Sequence, residues 1–190
     1  LVGQQLSVPL KELKQLTNST ITKESAKLCK VSLKAILGDI HRTELAIKEL
    51  INNDEELKRM VSLMTSIQGV GQITACEVIL TTNEFKDIKQ ARQYACYAGV
   101  APFEHSSGKK QSRARVSHMA NKKVKKLLHL AAMAAIRCNK DLKTYYTHKV
   151  QEGKNKMLVI NAVRNKLIHR LFACVKNNCP CMNTYLSVAV

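Results

Sequence analysis

Apolar residues recur at three- and four-residue intervals along most of this 190-residue chain. The clearest run is Leu33, Leu37, Ile40, Ile47 and Ile51, with Glu44 as its one polar member. This spacing lays them along one side of a helix of about five turns, with lysines and glutamates on the other faces. The helix is predicted from about Ile21, with Thr22 as a cap; Gly38 weakens it and Asn52-Asn53-Asp54 ends it. A lone seam of this kind calls for a partner helix or a second copy of the chain. A second helix over about 54–66 is expected to fold back antiparallel, giving a coiled-coil-like hairpin. Asp54, Glu55 and Glu56 stand at its start, where carboxylates serve as caps rather than as metal ligands. Residues 1–20, with Pro9 and the run TNST, have no strong period and read as an irregular segment.

From residue 66 the pattern changes to short helices punctuated by glycine. The stretch SIQGVGQITACEVILTT, residues 66–82, runs from a helix into Gly-Val-Gly and restarts as an apolar helix, the form of a helix–hairpin–helix. Glycines tolerate positive φ and let a backbone come close to a phosphate. The helix start that follows offers free N–H donors and the positive end of a dipole. Gly69, Val70, Gly71, Gln72 and Thr74 are therefore candidate contacts to a nucleic-acid backbone, blind to sequence. A short helix over about 88–97 ends at Gly99 and Pro102. Residues 103–120 read as a loop with room for a brief strand pair around Gln111 to Ser117. Helices follow over about Asn121 to Cys138, with Val124, Leu127, Leu128, Ala131 and Ala135 inward, and over 141–151. A last helix is marked by Ile160, Val163, Leu167, Leu171 and Cys174. The expected fold is mainly α: the long N-terminal helical hairpin, then a compact helical domain. The boundaries read as 1–20, a helical linker over 21–65, the domain over 66–176, and a tail over 177–190.

Composition supports helices over an aromatic-rich sandwich, since aromatics are 4% of the residues and Trp is absent. Charge adds more. Of the net +17, residues 1–104 supply +1, from 13 Lys/Arg against 12 Asp/Glu, and residues 105–190 supply +16, from 18 against 2. Charge gathered this way marks a docking face for a polyanion. The apolar runs are too short for a membrane span, and the opening LVGQQLSVPLKEL lacks the form of a signal peptide. Seven cysteines without a Cys-x-x-Cys pair read as reduced thiols of a cytoplasmic protein, with Cys76, Cys96, Cys138 and Cys174 acting as small apolar residues. A chain beginning with Leu suggests a part of something longer.

The candidate chemistry centres on HSSGKKQSRARVSHMANKKVKK, residues 105–126, which holds eight Lys/Arg and no acidic residue. Ser106 and Ser107, followed by Lys109, Lys110, Arg113 and Arg115, have the cations that a serine attack on a phosphodiester needs but would still require a base for the hydroxyl proton; the other reading is a solvated basic loop that touches DNA. Lys122, Lys123, Lys125 and Lys126 sit at a helix start, where they oppose the macrodipole, a conflict that an anionic partner would relieve. No histidine pair has zinc spacing; His129, between Leu128 and Leu130, reads as a core residue, and His105 and His118 bracket the serines. Beyond residue 104 the only carboxylates are Asp141 and Glu152, so this half cannot build a Mg²⁺ site alone.

GVGQITA, YAGVAPFEHSSGKK, VSHMANKKVKKLLHLAAMAA and the later Tyr145, Gly153 and Lys166-Leu167 together resemble the transposase domain of the insertion sequence 110 family, over about residues 60–176. The resemblance implies a serine nucleophile from a Gly-x-x-Pro…Ser-Gly motif, here Gly99-Val100-Ala101-Pro102 and Ser106-Ser107-Gly108. Ser107 takes that role, with Ser106 in reserve. It also implies a partner domain of Holliday-junction-resolvase type that carries acidic Mg²⁺ ligands, so no cofactor is expected in this chain itself. DNA is the implied partner, with a structured guide RNA in some members, and association of copies is expected through the 21–65 helices. One departure stands out: the family's Lys-x-Gly-Asn reads His118-Met119-Ala120-Asn121 here. The chain as given is expected to bind DNA without transferring strands, as part of a transposase. The alternative is a non-enzymatic helix–hairpin–helix module that holds DNA or RNA.

Overall fold

In the computed structural model the described residues are 19–107, 110–116 and 120–181. They form seven helices and one two-stranded sheet: α1 (Ser19–Asn53), α2 (Glu55–Thr65), α3 (Gln72–Thr82), α4 (Ala91–Tyr97), β1 (Pro102–Ser107), β2 (Lys110–Val116), α5 (Lys122–Cys138), α6 (Lys140–Gln151) and α7 (Lys156–Asn177). The mainly helical class expected from the periodicity holds. The chain divides into two units, residues 1–55 and 56–190.

In the first unit α1 runs unbroken for 35 residues, straight through Gly38. Its seam residues Leu37, Ile40 and Ile47 are exposed, as are Leu28, Val31, Leu45 and Leu50.

The second unit is built on α5, α6 and α7, which pack on one another, with α4 against α7 and α3 against α5. Val124, Leu128, Ala131, Ala132 and Ala135 of α5 face Val163, Leu167, Ile168 and Leu171 in the core, together with Met60, Val61, Leu63 and Met64 of α2. Small residues along α5 let neighbouring backbones approach closely. Asparagines start all three central helices: Asn121, Asn139 and Asn155 each accept a backbone N–H of the following turn through Oδ1. Three successive residues after α3, Asn83, Glu84 and Phe85, are left-handed, with φ of 49°, 55° and 62°. The turn is held by Thr82, whose Oγ1 donates to the Val78 carbonyl (2.7 Å) and accepts the Phe85 N–H (3.1 Å). It delivers Phe85 edge-on to Phe172, ring centroids 4.9 Å apart. Tyr94, fully buried, stacks beside Phe172 and shares a hydrogen bond with Thr81 (2.9 Å); burial pushes its phenol pKa up.

Two local readings change. The segment read as a loop from residue 103 is for the most part an antiparallel hairpin, β1 with β2, whose first strand starts at Pro102. Cys138, expected among apolar neighbours, is exposed at the end of α5, whereas Cys174 is buried and desolvation pushes its thiol up to about 11.

Candidate nucleic-acid interface

The turn between α2 and α3 is where sequence reasoning placed the first backbone contacts. Ile67 and Val70 are buried and anchor it, joined by the Val70 N–H to the Ile67 carbonyl (3.0 Å). Gly69, at φ +94°, lies flat on α5: a β-carbon there would stand 2.5 Å from the Ala135 nitrogen and 2.6 Å from the Ala131 oxygen. Its lack of a side chain thus serves helix packing. Gly71 has nothing within 4 Å of such a carbon. It is the N-cap of α3 and supplies no side-chain cap, so the first N–H groups of that helix keep their donor capacity. Gly71 is exposed, Gln72 half-buried, and Thr74 turns into the core.

The lysines occupy another place. Lys122, Lys123 and Lys126 are exposed and Lys125 half-buried on the first turns of α5. Lys123 Nζ lies 2.7 Å from Oε2 of Glu77, a carboxylate of α3 whose side chain is only 11% exposed. Part of the conflict between cations and helix dipole is therefore met inside the molecule. The same pair shows that α3 runs antiparallel to α5, because Gly69, before α3, meets Ala131 and Ala135 near the other end. The turn before α3 and the lysine cluster are thereby separated by about 8–20 Å along α5. They form two footholds rather than one patch.

Between α4 and α5 stands the serine hairpin. Ser106 pairs with Gln111 and Ser107 with Lys110, so Ser107 is the last residue of β1 before the turn. Arg115 pairs with Phe103, and Arg113 lies on β2. Gly108, Lys109 and His118 fall outside the described residues. The helices on either side of the hairpin are joined: the Asn121 N–H donates to the Tyr97 carbonyl (3.0 Å), and Asn121 Nδ2 donates to the Tyr97 hydroxyl (2.8 Å). Asn121 Oδ1 meanwhile caps α5 through Lys123 N (3.0 Å) and Val124 N (3.1 Å). One side chain thus ties the end of α4 to the lysine-bearing helix. Replacing it, Asn121→Ala, is expected to cost about 1–2 kcal/mol of stability in chemical denaturation; an unchanged midpoint would remove this clamp from the account.

The sequence reading missed Arg164. It lies on the buried face of α7 beside Val163 and is 5% exposed. Nη2 of Arg164 lies 3.2 Å from Nδ1 of His129. A guanidinium only donates, so that nitrogen holds the lone pair and the imidazole is neutral. Desolvation, then the Arg164 charge, lowers the His129 pKa. His129 is half-buried and, with Arg164, lines an open groove that Lys122, Lys125, Lys126 and Met157 complete. The signal was present: a cation at position 164 interrupts the run Ile160, Val163, Leu167. Among the described residues no three His, Cys, Asp or Glu side chains gather as metal ligands, and no helix is long and apolar enough to cross a membrane.

The sequence profile of the Transposase IS116/IS110/IS902 family matches residues 61–147. Residues 61–147 are thus similar to the transposase domain of that family. It is 27% identical over 146 residues to the insertion element IS110 uncharacterized 43.6 kDa protein of Streptomyces coelicolor, covering 77% of this chain and 36% of the relative. It is 28% identical over 138 residues to the pilin gene-inverting protein of Moraxella bovis, covering 70% and 42%. The transposase for insertion sequence element IS1111A of Coxiella burnetii is 29% identical over 145 residues, with 70% and 40% covered. The chain therefore spans about two-fifths of the length of these relatives. The matched stretch of the transposase domain holds both serines, every lysine candidate and His129. Helix α7 lies beyond it, yet supplies Arg164 and much of the core.

Proposed function

We propose that this chain is the DNA-binding, nucleophile-bearing part of an insertion-sequence transposase. The observation that supports the reading is the place of Ser107, at the end of a strand paired with Lys110, on a hairpin inserted between α4 and the lysine-rich α5, two helices that Asn121 joins. In the reaction the serine Oγ forms a bond to phosphorus while a bond from phosphorus to a deoxyribose oxygen breaks. The hydroxyl proton leaves to a base, and the released strand end takes up a proton. The number of phosphoester bonds is unchanged, so the DNA can be rejoined by the reverse step. Lys109, Lys110, Arg113 and Arg115 are the cations assigned to the charged phosphorus centre.

Mg²⁺ chemistry does not fit the carboxylates of the described residues. Glu77 is paired with Lys123, and Glu152 is ringed by His148, Lys149 and Lys154. Acidic ligands would come from a separate domain, and no step is routed through a metal here. The exposed seam of α1 (Leu37, Ile40, Ile47) is assigned to association with a second copy.

The DNA-binding part is tested on the chain as it stands. Binding to duplexes of arbitrary sequence should fall steeply with salt, and the combined Lys122→Gln and Lys126→Gln changes should lower the logarithmic salt slope by about two, equally for all sequences. A chain with no affinity for duplex DNA at low salt would sink the reading. Lys123→Gln is a poorer probe, because it also strips Glu77 of its partner. A specific observation favours a second reading, a binding module without chemistry: the uncapped start of α3 after Gly71. That module binds DNA with the same salt dependence but never forms a covalent link to it.

A further inference from the structure

The burial of Arg164 is not explained by its described surroundings. The side chain is 5% exposed, its Nε has no hydrogen-bond partner, and among the described residues its hydrogen bond goes to the neutral ring of His129. Burial lowers its pKa, and among the described residues no carboxylate acts on it. A guanidinium held this way keeps its full charge at a cost that a counter-ion would remove. The groove it lines is walled by three further cations, Lys122, Lys125 and Lys126 of α5, and encloses roughly 300 Å³. Two helices distant in sequence thus converge five nitrogen-bearing side chains on one space, with no acidic residue among its described lining residues.

We infer that Arg164, with His129 and Lys122, Lys125 and Lys126, forms a site for one phosphodiester group of a DNA strand. The unpaired guanidinium offers donors to two non-bridging oxygens, the geometry for which arginine is suited. His129 accepts from Arg164 through Nδ1, which leaves its Nε2–H as a further donor. The groove is open rather than closed, so a strand can run through it, with the exposed Lys122 and Lys126 meeting neighbouring phosphates. The assignment rests on the DNA-binding reading above and adds to it a buried contact distinct from the serine hairpin and from the start of α3.

The test compares the parent chain with Arg164→Met and Arg164→Lys. With a labelled duplex, Arg164→Met should weaken binding about tenfold or more, with Arg164→Lys intermediate. In the absence of DNA the thermal midpoint of Arg164→Met should equal or exceed the parent's, because an uncompensated charge has left the interior. A structural strut would behave the opposite way, so unchanged affinity, or lost affinity that follows a lowered midpoint, overturns the proposal. A measurement on the unaltered chain guards against misfolding. Inorganic phosphate, against chloride at equal ionic strength, should shift the His129 imidazole resonances, and their silence would overturn the site. If those resonances respond while the parent binds no duplex, the site stands and the DNA-binding reading falls. If the parent binds duplex but neither Arg164→Met nor phosphate has any effect, the site falls and that reading stands. An RNA stem run in parallel decides the strand: loss confined to RNA would overturn the assignment to DNA.

Discussion

Replacing Gly69 with alanine is expected to destabilise the second unit by about 3 kcal/mol or more, read as a fall of roughly 10 °C in its melting temperature. Two costs combine. The residue sits at φ +94°, a conformation that L side chains rarely adopt, and the added carbon would meet the Ala135 nitrogen, the Ala131 oxygen and the Ala135 α-carbon at 2.5, 2.6 and 2.7 Å. All three obstacles are backbone atoms of one helix, so no rotamer change relieves them, and α3 would have to lift from α5. Gly71→Ala is the matched control. Its φ is −93° and no atom lies within 4 Å, so the change should stay within about 1 kcal/mol. Equal melting temperatures for the two variants would show that Gly69 does not bear on α5.

Ser107→Ala should abolish covalent capture of DNA while leaving duplex affinity unchanged. The experiment joins this chain to a metal-binding acidic domain of the same family, supplies Mg²⁺ and traps the protein–DNA link on a denaturing gel. The parent is expected to give a phosphoserine adduct. An adduct that survives Ser107→Ala but vanishes with Ser106→Ala would move the nucleophile by one residue. Survival in the double variant would end the serine mechanism and leave the binding module. The unchanged affinity matters as much as the lost adduct, since it separates chemistry from a hairpin that no longer presents itself to DNA.

Much of this molecule was legible one element at a time. The spacing of Val124, Leu127, Leu128, Ala131 and Ala135 marks the inward face of α5; four of them are buried and Leu127 is half-buried. Asn121 and Asn178 stand where α5 begins and α7 ends, as cap residues do. The motif residues pointed to a transposase domain, and the family profile agrees. Less legible was anything that depends on two elements meeting. Cys138 sits in an apolar stretch yet emerges at a helix end, because a helical period assigns a face but not what covers it.

By itself the sequence determined the helical class, the family of the domain, and the gathering of charge in residues 105–190, since each depends on local spacing or on composition. Only the tertiary structure decided which neighbours those residues acquire. It pressed Gly69 against α5, separated the α3 start from the lysines, gave Lys123 its partner in Glu77, and brought Arg164 from α7 to His129 on α5. The physical reason is common to all four. Periodicity sets the direction of a side chain about its own axis, whereas contact, burial and the pairing of charge arise between axes that packing alone brings together.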